Sequence, residues 1–138
     1  MRRANGFEEP FGIKVWCLGN EMDGSWQMCT KTDSEYGRLA VETAKLMKWM
    51  DPSIELVVCG SSIMDGHGDW DAEVLRHTYH YVDYISMHYY YPPYGESPAP
   101  LYSSVVMDRH IRSMCAIADY VKQAVRSPKT MYLSFDEL

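Results

Sequence analysis

The strongest constraint on the fold is an alternation that runs the length of the chain. Short apolar runs at Ile13–Leu18 (IKVWCL), Ile54–Cys59 (IELVVC), Tyr84–Met87 and Thr130–Phe135 (TMYLSF) are separated by segments of helical periodicity. Thr32 and Glu35 stand at capping-box spacing ahead of Tyr36, Leu39, Ala40, Thr43, Ala44, Met47 and Met50, and Asp51-Pro52 ends that stretch. Steps of three and four place those positions on one helical face. A shorter helix is expected around Trp70, Val74, Leu75 and Thr78. A longer one is expected over Val106–Val125, turning Met107, Ile111, Met114, Cys115, Ala118 and Val121 inward. Buried strands joined through helices form right-handed crossovers and a parallel sheet, so the fold class is α/β.

Two architectures satisfy that order: a small open doubly wound sheet, or roughly strands 4 to 7 of a (β/α)8 TIM barrel. No Gly-rich phosphate loop follows the first strand, as a nucleotide-binding open sheet would usually have. Polar residues instead cluster after the strand ends, at Asn20 and Glu21, Ser61 and Ser62, His88 and Tyr90, and Asp136 and Glu137. Barrel enzymes keep their chemistry at that rim. The sequence ends just past Glu137, so residues 1–138 are expected to be a partial barrel domain, truncated at both ends.

Charge narrows the function classes. Thirteen Lys and Arg against 19 Asp and Glu give a net charge of −6 with no basic cluster, which argues against nucleic acid or an anionic membrane as partner. No apolar run approaches a membrane span. The stretch after Met1-Arg2-Arg3 lacks the apolar core of a secretory signal. Cys17, Cys29, Cys59 and Cys115 show no C-x-x-C pairing and are expected to be reduced core residues, in keeping with a cytoplasmic location.

Glu21 and Glu137 are the candidate catalytic pair, since parallel strands bring both to one rim. Glycoside hydrolysis needs two such carboxylates, one to protonate the leaving oxygen and one to attack the anomeric carbon or activate water. Their other reading is a pair of solvated surface carboxylates. His67, His77 and His80 lack a third ligand at metal spacing and are expected to be surface or capping residues. Tyr89–Tyr94 is either a sugar-stacking platform or loop packing. Glu8, Glu9, Asp69 and Asp71 are expected on a solvated surface, and Met47 and Met50 as core filler.

Longer strings carry a specific resemblance. Val15–Gly24 (VWCLGNEMDG) with Trp26-Gln27, the opening Arg2–Gly6, Glu35–Leu39, Met47–Trp49, Asp51–Ser53, Cys59–Ser62, Asp83–His88 and Leu133–Glu137 resemble, in order, glycoside hydrolase family 51 α-L-arabinofuranosidases. The resemblance implies a retaining exo-glycosidase with a (β/α)8 catalytic barrel, working by double displacement without metal or organic cofactor. It implies Glu21 as acid/base and Glu137 as nucleophile. Asn20 would bond the sugar 2-hydroxyl, Tyr90 orient the nucleophile and His88 support the catalytic hydrogen bonds. Arabinofuranosyl oligosaccharides from arabinan or arabinoxylan are the implied substrates, and a homo-oligomer the implied assembly of the complete enzyme. The charge of Glu137 is expected to raise the pKa of Glu21 until glycosylation removes it. Family members usually continue Phe-Asp-Glu-Trp, where this chain has Leu138, and the loop Ile63–Gly68 is unusually short. Two alternatives remain open: a non-catalytic remnant that binds sugar or a partner chain, and a related glycosidase with another sugar specificity.

Overall fold

A computed structural model describes residues 1–62, 68–90 and 100–137, with side chains of 100–103 left aside. His67, the loop at 63–67, Tyr91 to Tyr94 and Leu138 lie outside the described residues. After a single 3-10 turn the elements are β1 (Val15–Cys17), α1 (Asp33–Met50), β2 (Glu55–Val58), α2 (Gly68–Thr78), β3 (Tyr84–His88), α3 (Pro100–Ala124) and β4 (Tyr132–Glu137). Among the described residues no helix is long and apolar enough to cross a membrane.

The strands pair in parallel in the spatial order β1-β2-β3-β4. Sequential order has no switch point, so every right-handed crossover progresses the same way and lays its helix on the same face. That is the winding of a barrel rather than of a doubly wound sheet. The helix-facing side carries Leu56, Val58, Ile85 and Met87, each essentially inaccessible, packed with Tyr36, Ala40, Ala44, Val74, Leu75, Met114, Ala118 and Val121. The other face, with Cys17, Val57, Ser86 and His88, lines a cavity.

Local chemistry explains the element ends. Thr32 Oγ1 accepts the Glu35 N–H and Glu35 Oε2 accepts the Thr32 N–H, so the expected capping box is present. α1 is rotated from the expected face. It buries Tyr36, Gly37, Ala40, Val41 and Ala44, while Leu39 is 48% and Met50 81% exposed. The cause is its close approach to α2: a Cβ on Gly37 would lie 2.6 Å from the His77 ring. α3 likewise buries a narrower stripe than expected, Met114, Ala118 and Val121, leaving Ile111 and Cys115 exposed. All four cysteines are free, but only Cys59 is buried. Cys29 lies in an exposed loop between β1 and α1.

Asp71 is also not a solvated acid. It is 3% exposed, and its carboxylate accepts the Ser61 N–H at 2.7 Å and the Ser61 hydroxyl at 3.0 Å, tying α2 to the end of β2. His80 is exposed, as expected, whereas His77 is half-buried in the α1–α2 contact, with its Nε2 3.2 Å from Glu73. At the opposite end of the sheet, Asp83 accepts the Leu56 N–H and the Lys48 ammonium, each at 2.9 Å, with Lys129 at 3.4 Å. Burial pushes this carboxyl up, but Lys48, the Leu56 amide and the charge of Lys129 outweigh it and leave it below its ordinary value. Its folded-state pKa is therefore below the unfolded one, and its stabilisation is present above about pH 3.9 and lost as pH falls through the folded value. Asp83→Asn should cost about 1–2 kcal/mol at pH 7. In urea titrations that difference from the parent should shrink at pH 3; a constant difference would contradict the assignment.

Candidate active site

The cavity at the C-terminal rim is about 330 Å³ and is lined by Cys17, Gly19, Asn20, Val57, Cys59, Ser86, His88, Asp136 and Glu137. Glu21, His88 and Glu137 converge there. One oxygen of each glutamate and a ring nitrogen of His88 all lie within 4.8 Å of one another.

Glu21 reaches the site through a strained loop. Gly19 has φ +128°, and Glu21 itself has φ +44°, in the left-handed region that costs a non-glycine residue about 1 kcal/mol or more. Two successive turns, Gly24 N–H to Glu21 O at 2.9 Å and Gln27 N–H to Gly24 O at 3.0 Å, fold the following residues back. Trp26 Nε1 and Gln27 Nε2 consequently donate to Glu21 Oε2 at 2.8 and 2.9 Å. Oε1 faces His88 Nδ1 at 3.2 Å. Asp23, two residues on, accepts the Ser62 N–H and hydroxyl at 2.9 and 3.0 Å and anchors the loop to the end of β2.

Glu137 depends on an irregularity in the sheet. Met87 pairs with Phe135, but His88 pairs with Glu137, so Asp136 is an extra residue in β4. Strict alternation would continue Leu133 and Phe135, which pack toward the helices, into Glu137. The bulge turns Glu137 to the cavity instead. There Tyr90 donates its hydroxyl to Glu137 Oε2, and His88 Nδ1 lies 3.8 Å from the same oxygen. His88 Nε2 is 3.4 Å from Asp136 Oδ1, so the ring is held from both sides. Asn20 lines the cavity and is exposed to it. All five expected site residues thus meet at one rim.

Electrostatics depart from expectation at Glu21. Burial alone pushes its carboxyl up, but hydrogen bonds from Gln27, Trp26 and His88, with the nearby imidazole, bring it below its ordinary value. The expected rise from Glu137 does not set the result: the two loop donors and His88 Nδ1, 3.2 Å from Oε1, favour the charged form. Tyr90 is pushed up, first by its bond to Glu137. Asp136 is raised by burial, partly opposed by His88. Burial lifts the Cys59 thiol to about 11, and burial and Asp136 raise Cys17, so both cavity cysteines stay protonated and are poor nucleophiles. Among the described residues, Glu21, His88 and Glu137 are the set whose donor atoms lie close enough to share a cation.

Sequence reasoning assigned no role to Trp26, Gln27 or Asp23, and treated Asp136 only as part of the rim. Nothing in spacing or periodicity marks them, because their contacts depend on the loop turning back on itself.

A parallel sheet wound as part of a barrel, with two carboxylates meeting beside a cavity at its C-terminal rim, has the parts that glycoside hydrolysis requires. No family model matches the chain. An intracellular exo-α-(1→5)-L-arabinofuranosidase of Bacillus subtilis (strain 168) is 58% identical over 140 residues, covering 99% of this chain and 28% of that protein. An exo-α-(1→6)-L-arabinofuranosidase of Bifidobacterium longum is 45% identical over 144 residues, again covering 99% of this chain and 28% of that protein. A solved family 51 α-L-arabinofuranosidase from Bifidobacterium longum superposes with TM-score 0.89 at 40% identity, covering 98% of this chain and 28% of that one. Over nearly its whole length the chain is similar to glycoside hydrolase family 51 enzymes, and its four-stranded parallel sheet is consistent with part of their catalytic TIM barrel. It spans 28% of the length of these curated relatives.

Proposed function

We propose that residues 1–138 supply strands four to seven of a catalytic barrel that removes terminal α-L-arabinofuranosyl units from arabinan- or arabinoxylan-type oligosaccharides with retention. The observation that carries this reading is the convergence of Glu21 and Glu137 on His88 within 4.8 Å. Glu137 attacks the anomeric carbon while Glu21 protonates the departing glycosidic oxygen. The resulting glycosyl ester leaves Glu21 as carboxylate, which then takes a proton from water as that water displaces Glu137. Tyr90, donating to Glu137, orients the nucleophile and holds its charge; His88 positions both carboxylates; Asn20 bonds the sugar 2-hydroxyl. No step needs a cofactor. A cytoplasmic homo-oligomer is the setting proposed, and the intracellular naming of the Bacillus subtilis relative supports the compartment.

The linkage is left unassigned, since the matched relatives are named for both (1→5) and (1→6) activity. The test uses the protein that carries this segment, an aryl α-L-arabinofuranoside and product NMR. The first-formed arabinose should be the α anomer. Glu21→Gln should slow glycosides with poor leaving groups by roughly 10²–10⁴. Inversion at the anomeric carbon, or full activity of Glu21→Gln, would overturn the reading. Sugar binding that persists with no turnover in the parent protein would support a non-catalytic role instead.

A further inference from the structure

The two hydrogen bonds from the returning loop both end on the same oxygen of Glu21. Trp26 Nε1 lies 2.8 Å and Gln27 Nε2 2.9 Å from Oε2, whereas Oε1 meets His88 Nδ1 at 3.2 Å. We propose that Trp26 and Gln27 are positioning residues that close Glu21 Oε2 to proton exchange and confine the catalytic proton to Oε1. This rests on the assignment of Glu21 as acid/base.

The reason lies in donor and acceptor capacity. The indole N–H only donates, and the amide NH2 only donates. A proton placed on Oε2 would set O–H against N–H with no acceptor between them. Reversing the Gln27 amide would oppose its oxygen to the carboxylate, so the network itself selects this orientation. On the other side, His88 Nδ1 can accept the hydrogen of a protonated Oε1 in the tautomer that carries its own hydrogen on Nε2, the nitrogen 3.4 Å from Asp136 Oδ1. Protonated Glu21 therefore has one comfortable form, with its acidic hydrogen turned toward the cavity rather than the loop. Ionised Glu21 keeps both loop bonds, which favours the carboxylate that the second half of the reaction requires. Glu21 is faced by His88 and Tyr90 from the end of β3 and by Glu137 from β4, with Asp136 at the other nitrogen of the His88 ring. None of these changes when the loop donors are replaced.

Trp26 is 57% exposed, so its loss removes a hydrogen bond more than core packing. Trp26→Phe and Gln27→Met, singly and together, are made in the protein that carries this segment, and kcat/KM is followed against pH. The alkaline limb, which reports the acid, should move upward by about one pH unit in the double variant. Below that limb, kcat/KM should fall about tenfold for a phenyl glycoside, yet by less than about twofold for a dinitrophenyl glycoside whose departure needs no proton. An unmoved limb with equal losses on both substrates would overturn the proposal and leave Trp26 and Gln27 as ordinary loop contacts. Each single variant is read on its own, so a failure to fold in one leaves the other decisive. Glu21→Gln separates the levels: if it stays active, the acid/base assignment has failed. If it is inactive while the loop variants leave the limb unmoved, only this inference has.

Discussion

On the proposed mechanism, Glu137→Ala in the protein that carries this segment is expected to lower kcat by at least about 10³, because it removes the group assigned as nucleophile. The loss should be seen with activated and unactivated arabinofuranosides alike, since no leaving group is good enough to replace a missing nucleophile. Added azide should restore part of the turnover by attacking the anomeric carbon directly. That attack makes one displacement where the parent makes two, so the glycosyl azide should carry the inverted configuration. Azide rescue of Glu21→Gln should instead give the retained azide, because Glu137 still forms the first intermediate. A Glu137→Ala variant with more than about a tenth of parental activity would show that the carboxylate at the bulge is not the nucleophile. Rescue of Glu137→Ala with retention would show the same.

Tyr36→Ala is expected to produce the largest loss of stability, about 4 kcal/mol. Its side chain is fully buried and its ring stacks on Trp70 with centroids 5.5 Å apart. Its hydroxyl donates to Leu18 O at 3.0 Å and accepts the Cys59 N–H at 2.9 Å. Those two groups belong to the C-terminal ends of β1 and β2, where the chain leaves the sheet for the rim. The truncation therefore opens a cavity and strands two buried backbone groups at once. Tyr36→Phe, which keeps the ring and loses only the hydroxyl, should cost about 1–2 kcal/mol. Urea midpoints of the protein carrying the segment measure both. A Tyr36→Ala variant within about 1 kcal/mol of the parent would refute the packing account.

Those two residues differ in how openly the sequence announced them. Tyr36 stood on an apolar helical face behind a capping box, so its burial was legible, although its hydroxyl's partners were not. Glu137 stood after an apolar strand, and its place at the rim was legible from strand direction alone. Its orientation was not. Alternation from Leu133 and Phe135 sends it toward the helices, and the extra residue Asp136 reverses that. Asp71 misled for a similar reason. It reads as a polar residue in the first turn of a helix, where most acids are solvated, and only the end of β2 brought against it makes it an internal anchor. The choice between a barrel and a doubly wound sheet also lay beyond strand and helix patterns. Spatial order resolves it, and order is a property of how successive crossovers stack.

By itself, the sequence determined what local physics controls: apolar runs of strand length, amphipathic periods, the Thr32–Glu35 cap, and the run of motifs that resembles family 51. Tertiary structure alone decided the chemistry's fine placement. The αL turn at Glu21, the return of Trp26 and Gln27 onto its Oε2, the bulge at Asp136 and the meeting of His88 Nδ1 with both carboxylates all involve contacts between segments distant along the chain or loops folded back on themselves. A carboxylate's charge and hydrogen bonds depend on what surrounds it in space, and no periodicity along the chain encodes that surrounding.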